Sequence, residues 1–156
     1  TTLSAIDLTK AATLADAVSR FATTAIPNLD THMPAITRAR NACENYAPGY
    51  GLNSIDLGRF LDQVTKAPGV DNTLAKKAST AKAALEDLVI ANYASTSRQG
   101  AFGSEGLAIY FPKSQLEFNN DADHDAYQPG NTHYPVEFVD KQKWSNFMHS
   151  YLAQAG

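Results

Sequence analysis

Residues 105–112, which read EGLAIYFP, decide the fold class of this chain. The segment from Leu107 to Phe111 is short and apolar, and a glycine and a proline bound it, a pattern typical of a buried β-strand. Most of the alanines lie before residue 95, and alanine has the highest helix propensity of the amino acids. We therefore predict an α+β fold that is predominantly α, in which a bundle of about four helices precedes one to three short strands.

Four helices are predicted in the first part of the chain, over residues 7–25, 34–46, 56–67 and 72–94. Asp7 and Asp56 are suited to cap the first and the third helix, and Pro34 is suited to the first position of the second. On each helix apolar residues recur at spacings of three and four, which indicates one buried face. These helices are expected to form an antiparallel bundle, preceded by a short strand at residues 3–7.

After Ser95 the helical period disappears and the composition changes to Ser, Gly, Asn and Asp. The elements predicted there are a strand at 105–112, a surface loop at 113–133, an extended piece at 136–138 and a final helix capped by Asp140. The final helix has a strongly apolar face, so it is expected to dock on a large surface. Residues 1–156 are predicted to be a single domain, with the helical bundle over 1–95 and the strand, loop and final helix over 96–156.

Charge and composition exclude several classes of protein. Thirteen basic and 16 acidic residues give a net charge of -3 without a cluster of Lys or Arg, so a nucleic-acid partner is not expected. The longest apolar runs are far shorter than the roughly 20 residues of a membrane-spanning helix, and no membrane partner is expected. The single cysteine, Cys43, excludes an internal disulfide.

The second predicted helix carries this cysteine and two arginines. Cys43 lies on the apolar stripe, not at a helix start or a sharp glycine turn, where backbone N–H groups lower the pKa of a thiol. It is therefore interpreted as an inert core residue rather than as a nucleophile paired with a histidine. Arg38 and Arg40 are interpreted as an exposed helix face, with Glu44 placed to form an ion pair with Arg40. No catalytic residue is assigned.

An acidic cluster in the predicted loop resembles the first half of a calcium-binding loop. Asp121, Asp123 and Asp125 alternate with other residues, as the oxygen ligands of such a loop do. The second half is missing, because Ala126 stands where the loop needs Gly and Thr132 where it needs Glu. The pattern favours a solvated acidic loop, and no metal or cofactor ligand is assigned, but whether the three aspartates bind calcium stays open.

Four segments of the chain resemble the clostripain family of cysteine peptidases. Residues 2–10 (TLSAIDLTK) are similar to the family's LSAIDLSK, 39–41 (ARN) to its ARN, 54–61 (SIDLGRFL) to its IDLYDFA, and 106–112 (GLAIYFP) to its GLSIYFP. The four occur in the family's order and, with the closing aromatic helix, span nearly the whole chain. Ala108 stands where the family more often has Ser.

The resemblance implies the carboxy-terminal part of such a peptidase. Family members have a caspase-like α/β core with a His–Cys dyad and cleave after basic residues, and some depend on calcium or are processed into two chains. Both dyad segments would lie upstream of Thr1. The start of this chain at Thr1 would then be the result of a proteolytic cut or of the truncation of a longer chain. No catalytic residue carries over to this chain, because Cys43 corresponds to a helix of the family and not to its nucleophile.

The resemblance therefore predicts a non-catalytic domain, inactive by itself, whose partner is the upstream catalytic domain. It would support that domain through the final helix and through the strand at 107–111, which as an isolated strand would leave backbone groups unpaired. The family also implies an extracellular or periplasmic location. The alternatives are an independent helical interaction module without enzymatic activity and, less favoured, a self-contained hydrolase that uses Cys43.

Overall fold

The computed structural model describes residues 2–46, 53–94, 104–122, 124–130 and 141–155, and they confirm a mainly helical α+β fold. The helices are α1 (Ala11–Ala25), α2 (Leu29–Asn41), α3 (Leu57–Lys66), α4 (Asn72–Leu88), α5 (Gln115–Asn120) and α6 (Trp144–Ala155). The strands are β1 (Thr2–Ile6), β2 (Ser54–Asp56), β3 (Val89–Ala94) and β4 (Ala108–Tyr110). Short 3-10 turns cover Leu8–Lys10, Ile26–Asn28 and His124–Tyr127.

Aspartates cap three of the helical segments. Asp7 accepts a hydrogen bond from the backbone N–H of Thr9 at 3.0 Å and caps the turn that leads into α1. Asp56 accepts one from the backbone N–H of Arg59 at 2.8 Å and caps α3, so both predicted caps are confirmed. Asp71 caps α4 in the same way. Each carboxylate satisfies an N–H group that the first turn of a helix leaves without a partner.

The second helix begins at Leu29, so the prediction that Pro34 opens it is wrong. Pro34 lies inside α2, where it removes one backbone N–H from the helical ladder. The turn of α2 before Pro34 stays helical because burial of the Leu29 and His32 side chains stabilises it. His32 also places Nδ1 3.3 Å from the carbonyl oxygen of Gly69, which ties this turn to the loop before α4. Burial has overridden the preference of proline for a first helical position.

The fourth helix ends at Leu88, so the prediction that it continues to Ala94 is also wrong. The residues after Leu88 form β3, which pairs antiparallel with β1. Val89 and Ile90 are β-branched, and such side chains favour an extended backbone over a helix. The pairing with β1 confirms the short strand predicted near the start of the chain, and it supplies the partner that the local sequence of residues 89–94 does not reveal.

The two-stranded sheet of β1 and β3 is called the β1–β3 ribbon below. Leu3 lies opposite Tyr93 and Ala5 lies opposite Ala91, so these four side chains share one face of the ribbon. The register shifts after Ala5, and Ile90 is the extra residue of the resulting β-bulge. The ribbon therefore carries a compact set of apolar side chains on one side.

The predicted strand at 105–112 is confirmed as β4, but it is not isolated. It pairs antiparallel with β2, and Ile55 lies opposite Ile109. The ladder continues beyond both strands, because the N–H of Leu57 donates to the carbonyl oxygen of Leu107 at 2.9 Å. β2 is only three residues long and its last residue, Asp56, is the cap of α3, so no strand was predicted there. We expected the backbone N–H and C=O groups of this strand to lack partners. On the edge of β4 that faces β2 this expectation is wrong, because β2 supplies the partners.

The segment predicted as a surface loop at 113–133 is partly helical. Ser114 caps α5 by accepting a hydrogen bond from the N–H of Glu117 at 3.2 Å, and the Glu117 carboxylate accepts one from the N–H of Lys113 at 2.9 Å. Ser followed three residues later by Glu is a helix-start signal that was present in the sequence. The predicted extended piece at 136–138 and the cap Asp140 lie outside the described residues.

The last helix, α6, docks on this chain's own core. Its side chains Trp144, Phe147 and Tyr151 are fully buried. The indole Nε1 of Trp144 donates a hydrogen bond to the carbonyl oxygen of Tyr110 at 2.9 Å, which fixes α6 against β4. The ring of Phe21 in α1 lies 5.6 Å from that of Phe147. The large surface that α6 was expected to need is therefore supplied by the bundle and β4, and its aromatic face is not left over for another domain.

Candidate functional site

The second helix ends at Asn41, so the prediction that it continues to residue 46 and carries Cys43 is wrong. Cys43 lies two residues after the end of α2, and its side chain is 4% exposed. The thiol donates to the carbonyl oxygen of Ala39 at 3.3 Å, and the backbone N–H of Cys43 donates to the carbonyl oxygen of Arg40 at 3.1 Å. Burial raises the pKa of the Cys43 thiol to about 12, because a thiolate loses its hydration there. The burial expected from the sequence is thus confirmed, and the environment is the reverse of one that activates a thiol.

The described histidines do not hydrogen-bond to this thiol. His32 contacts the loop before α4, His124 begins the turn that contains Tyr127, and His149 lies beside that turn. His149 Nε2 is 3.2 Å from the carbonyl oxygen of Tyr127. The fourth histidine, His133, lies outside the described residues. Within the described part of the chain, no thiol–imidazole pair is assembled.

Alkylation of Cys43 by iodoacetamide is expected to be much slower in the folded chain than in the same chain unfolded in urea. The reagent attacks the thiolate, which the raised pKa suppresses at about pH 8. The same proton links folding to pH: its contribution to stability is complete below the unfolded pKa of 9.0 and is lost as the pH rises through the folded value of about 12. Mass spectrometry of timed samples measures the rate, and equal rates in both states would contradict this burial.

Arg40 is the centre of a buried polar network, and its interpretation as an exposed residue is wrong. Its side chain is 0% exposed, and Nε donates to the carbonyl oxygen of Phe111 just after β4. The other two guanidinium nitrogens donate to the carbonyl oxygen of Cys43 and to the side-chain oxygen of Asn45. Arg40 forms no ion pair with Glu44. Burial lowers the pKa of Arg40, so three acceptors compensate for the lost hydration of its charge.

The network continues from Asn45 to the acidic segment. Asn45 donates to the side-chain oxygen of Asn53 at 2.9 Å, and Asn53 donates from both its backbone N–H and its side-chain amide to one oxygen of Asp121, each at 3.0 Å. Asp121 is 2% exposed. Asp125 is exposed, so Asp121 and Asp125, two of the three aspartates that were considered together as calcium ligands, have different surroundings. Asp123 lies outside the described residues. Among the described side chains, no group of three or more His, Cys, Asp or Glu is placed to hold a metal ion.

Asp121→Ala is expected to lower the free energy of unfolding by about 2 kcal/mol, because two N–H groups of Asn53 would lose their acceptor in a buried place. Asp125→Ala is the matched control and should change stability by less than about 0.5 kcal/mol, since Asp125 is exposed. Urea unfolding followed by circular dichroism measures both variants, with and without added calcium. Equal losses for the two variants, or a loss that appears only with calcium, would show that the buried contact is not the cause.

Asp56 joins the end of β2 to the segment just before β4. Besides capping α3, its carboxylate accepts hydrogen bonds from the hydroxyl of Tyr46 at 2.8 Å and from the backbone N–H of Glu105 at 2.7 Å. The Glu105 side chain forms an ion pair with Lys82 of α4 at 2.6 Å. A Cβ atom at Gly58 would lie 2.4 Å from the Glu105 carboxylate, so a larger residue at this position in α3 would displace the Glu105 side chain. The arrangement fixes the start of β4 against α3 and α4.

The β1–β3 ribbon leaves an apolar surface uncovered by the described residues. Leu3 is 73% exposed, Ile90 71% and Tyr93 64%, and they are the most exposed large apolar side chains besides Leu8 and Leu116. The opposite face is closed, since Gly106 approaches Ser4 and Val89 so closely that a Cβ atom there would lie 3.2 Å from each. Exposed apolar residues in one cluster indicate a contact surface, whereas scattered ones do not.

Comparisons of the chain with protein-family models, with curated proteins and with solved structures give no match. No helix in the described ranges is long and apolar enough to cross a membrane. A functional proposal for this chain therefore rests on two observations. They are the resemblance of the four sequence segments and the geometry of the described residues.

Proposed function

We propose that this chain is the non-catalytic carboxy-terminal domain of a clostripain-like cysteine endopeptidase and that it supports a catalytic domain encoded upstream. The four segments that resemble the family contribute residues that hold secondary-structure elements together, and they do not form a reactive centre. They supply the cap Asp7, the buried Arg40, the junction residue Asp56 and the strand β4. A domain whose family-like residues are used for packing fits a supporting role.

The observation that carries the proposal is the uncovered apolar face of the β1–β3 ribbon. Leu3, Ile90 and Tyr93 would gain free energy by burial against another surface, at about 25 cal/mol for each Å² of apolar area. A two-stranded ribbon is also marginally stable by itself, so a covering surface would stabilise it. The final helix, which was expected to make this contact, is already buried, and the ribbon takes its place in the proposal.

The activity belongs to the whole peptidase in this proposal. Cleavage after basic residues, any dependence on calcium and an extracellular or periplasmic location are carried by the resemblance alone. This chain by itself is expected not to hydrolyse a peptide with a basic residue at the cleavage site. Hydrolysis that Cys43→Ala abolishes would instead support the self-contained hydrolase.

The contact is tested with two purified components. The part of the gene upstream of residue 1 is expected to encode a histidine and a later cysteine, each after a hydrophobic strand. The domain that this part encodes should bind this chain in a sedimentation experiment. Tyr93→Asp should weaken that binding by at least about tenfold, because a carboxylate in an apolar interface loses its hydration. Leu116→Asp is the control, since Leu116 is similarly exposed but lies on α5, far from the ribbon in sequence and in a different element.

Two results would overturn the proposal. One is an upstream region that encodes no histidine and cysteine in these positions, which would leave an independent interaction module as the better assignment. The other is equal binding by Tyr93→Asp, Leu116→Asp and the unchanged chain, which would remove the ribbon as the contact surface.

A further inference from the structure

The outer edge of β4 carries backbone groups that β2 does not use. Leu107 and Phe111 bond to the segment of β2 through their backbone, since Leu107 accepts from Leu57 and the N–H of Phe111 donates to the carbonyl oxygen of Asn53 at 2.8 Å. In an antiparallel pair the residues between such positions direct their N–H and C=O groups away from the partner strand. Ala108 and Tyr110 therefore present these groups on the outer edge, and the Tyr110 carbonyl oxygen indeed accepts a hydrogen bond from α6.

Ala108 is the exposed position on this edge. In the ladder with β2, Ala108 occupies a position at which the backbone N–H and carbonyl oxygen point away from β2. Among the described residues, no hydrogen-bond partner of these two groups is found on the outer side either. A donor and an acceptor on one residue of an exposed edge are the two groups that an added strand would use. The edge thus offers one complete pair of main-chain contacts.

An apolar cavity of about 360 Å³ runs along the same edge. Four consecutive residues of this strand region, 107–110, line it. Alternate side chains of a strand point to opposite faces, so four consecutive lining residues indicate that the cavity reaches the edge of the strand. Leu14, Ala15 and Val18 of α1 also line the cavity, and so does Trp144 of α6. The lining is almost entirely apolar, which selects an apolar side chain.

We propose that the outer edge of β4 and this cavity bind an extended peptide segment that carries one apolar side chain. The peptide backbone bonds to the N–H and carbonyl oxygen of Ala108 and adds a strand to the sheet, while its apolar side chain enters the cavity beside Ala15. Main-chain bonds then provide affinity and the cavity provides selectivity, as in other cases of strand addition. The site is separate from the outer face of the β1–β3 ribbon, and the inference does not depend on the proposed peptidase origin.

The test uses the 156-residue chain and capped pentapeptides of sequence Ser-Thr-X-Thr-Ser, in which X is Ala, Leu or Phe. Nuclear magnetic resonance follows the exchange of the Ala108 amide with solvent during titration. The Leu or the Phe peptide is expected to slow that exchange at least about tenfold and to bind at least about tenfold more tightly than the Ala peptide. The Ala peptide forms the same main-chain bonds but leaves the cavity empty, so the comparison isolates the side chain.

Two variants separate the edge from the cavity. Ala15→Phe fills the cavity from α1, and Ala108→Pro removes the edge donor at a place where an edge strand tolerates proline. Each should weaken binding of the Leu and Phe peptides at least about tenfold. Ala83→Phe, which changes an exposed alanine of α4 that does not line the cavity, should leave binding unchanged. Thermal melting tests whether each variant folds. If Ala15→Phe does not fold, Ala15→Leu replaces it.

The outcomes distinguish strand addition from simple filling of a cavity. Binding of the peptides without protection of the Ala108 amide would overturn the proposal. So would entry of benzene into the cavity while none of the peptides binds, because the site would then accept a small apolar molecule only. Loss of binding by Ala15→Phe with binding retained by Ala83→Phe would support it.

Discussion

Phe111→Ala should lower the free energy of unfolding by about 4 kcal/mol, because it removes a fully buried aromatic ring. Phe111 is fully buried between the sheet and the last helix. Its ring centroid lies 4.9 Å from that of Tyr151, 5.3 Å from those of Phe60 and Trp144, and 5.6 Å from that of Phe147. Removing the ring would leave a cavity surrounded by aromatic side chains from α3 and α6, which are too rigid to fill it.

Urea unfolding measures this loss, and two substitutions serve as comparisons. Phe111→Leu keeps much of the volume and should lose about half as much stability as Phe111→Ala. Leu116→Ala, on the exposed face of α5, should change stability by less than about 0.5 kcal/mol. A loss below about 1.5 kcal/mol for Phe111→Ala would mean that the surrounding rings collapse into the space, and the packing described for α6 would be wrong.

Local signals in the sequence predicted the parts of the fold that depend on local chemistry. Asp7 and Asp56 cap helical segments because a carboxylate can reach the first N–H groups whatever the distant packing is. Residues 107–111 were recognised as a strand because glycine and proline bound an apolar run. The burial of Cys43 was also predicted correctly, although the helix that was expected to carry it ends at Asn41. These features need only neighbouring residues for their explanation.

The remaining features depend on partners that are distant in sequence. Residues 89–94 are a strand because β1, more than 80 residues earlier, pairs with them, and this overrides the helical pattern that leads into Leu88. Pro34 lies inside a helix because Leu29 and His32 are buried ahead of it. The exposed face of the β1–β3 ribbon and the free edge at Ala108 could not be predicted, because each exists only once two separate segments have paired.

Arg40 shows why charge in a helical pattern is a poor guide to exposure. Its position two residues after Arg38 and four before Glu44 is typical of a solvated helix face. The carbonyl oxygen of Phe111, which is 71 residues away in sequence, is one of the acceptors that make its burial tolerable. No local pattern marks that oxygen as a partner, so the interpretation failed at the residue that joins α2 to β4.

Arg40→Ala should lower the free energy of unfolding by about 3 kcal/mol, and Arg38→Ala by less than about 1 kcal/mol. The first substitution leaves the carbonyl oxygens of Phe111 and Cys43 and the side-chain oxygen of Asn45 without their donors in a buried place. Arg38 is the matched control, since it is on the same helix and donates one hydrogen bond, 2.9 Å long, to the carbonyl oxygen of a proline at the surface.

Arg40→Lys distinguishes the geometry of this contact from its charge. An ammonium group keeps the positive charge, but it cannot span three acceptors that lie around a planar guanidinium, so most of the stability lost in Arg40→Ala should be lost again. Urea unfolding at low and high salt measures the three variants. If Arg40→Lys were as stable as the unchanged chain, the charge alone would account for the effect; if Arg38→Ala and Arg40→Ala lost the same stability, Arg40 would not be the buried junction between α2 and the end of β4.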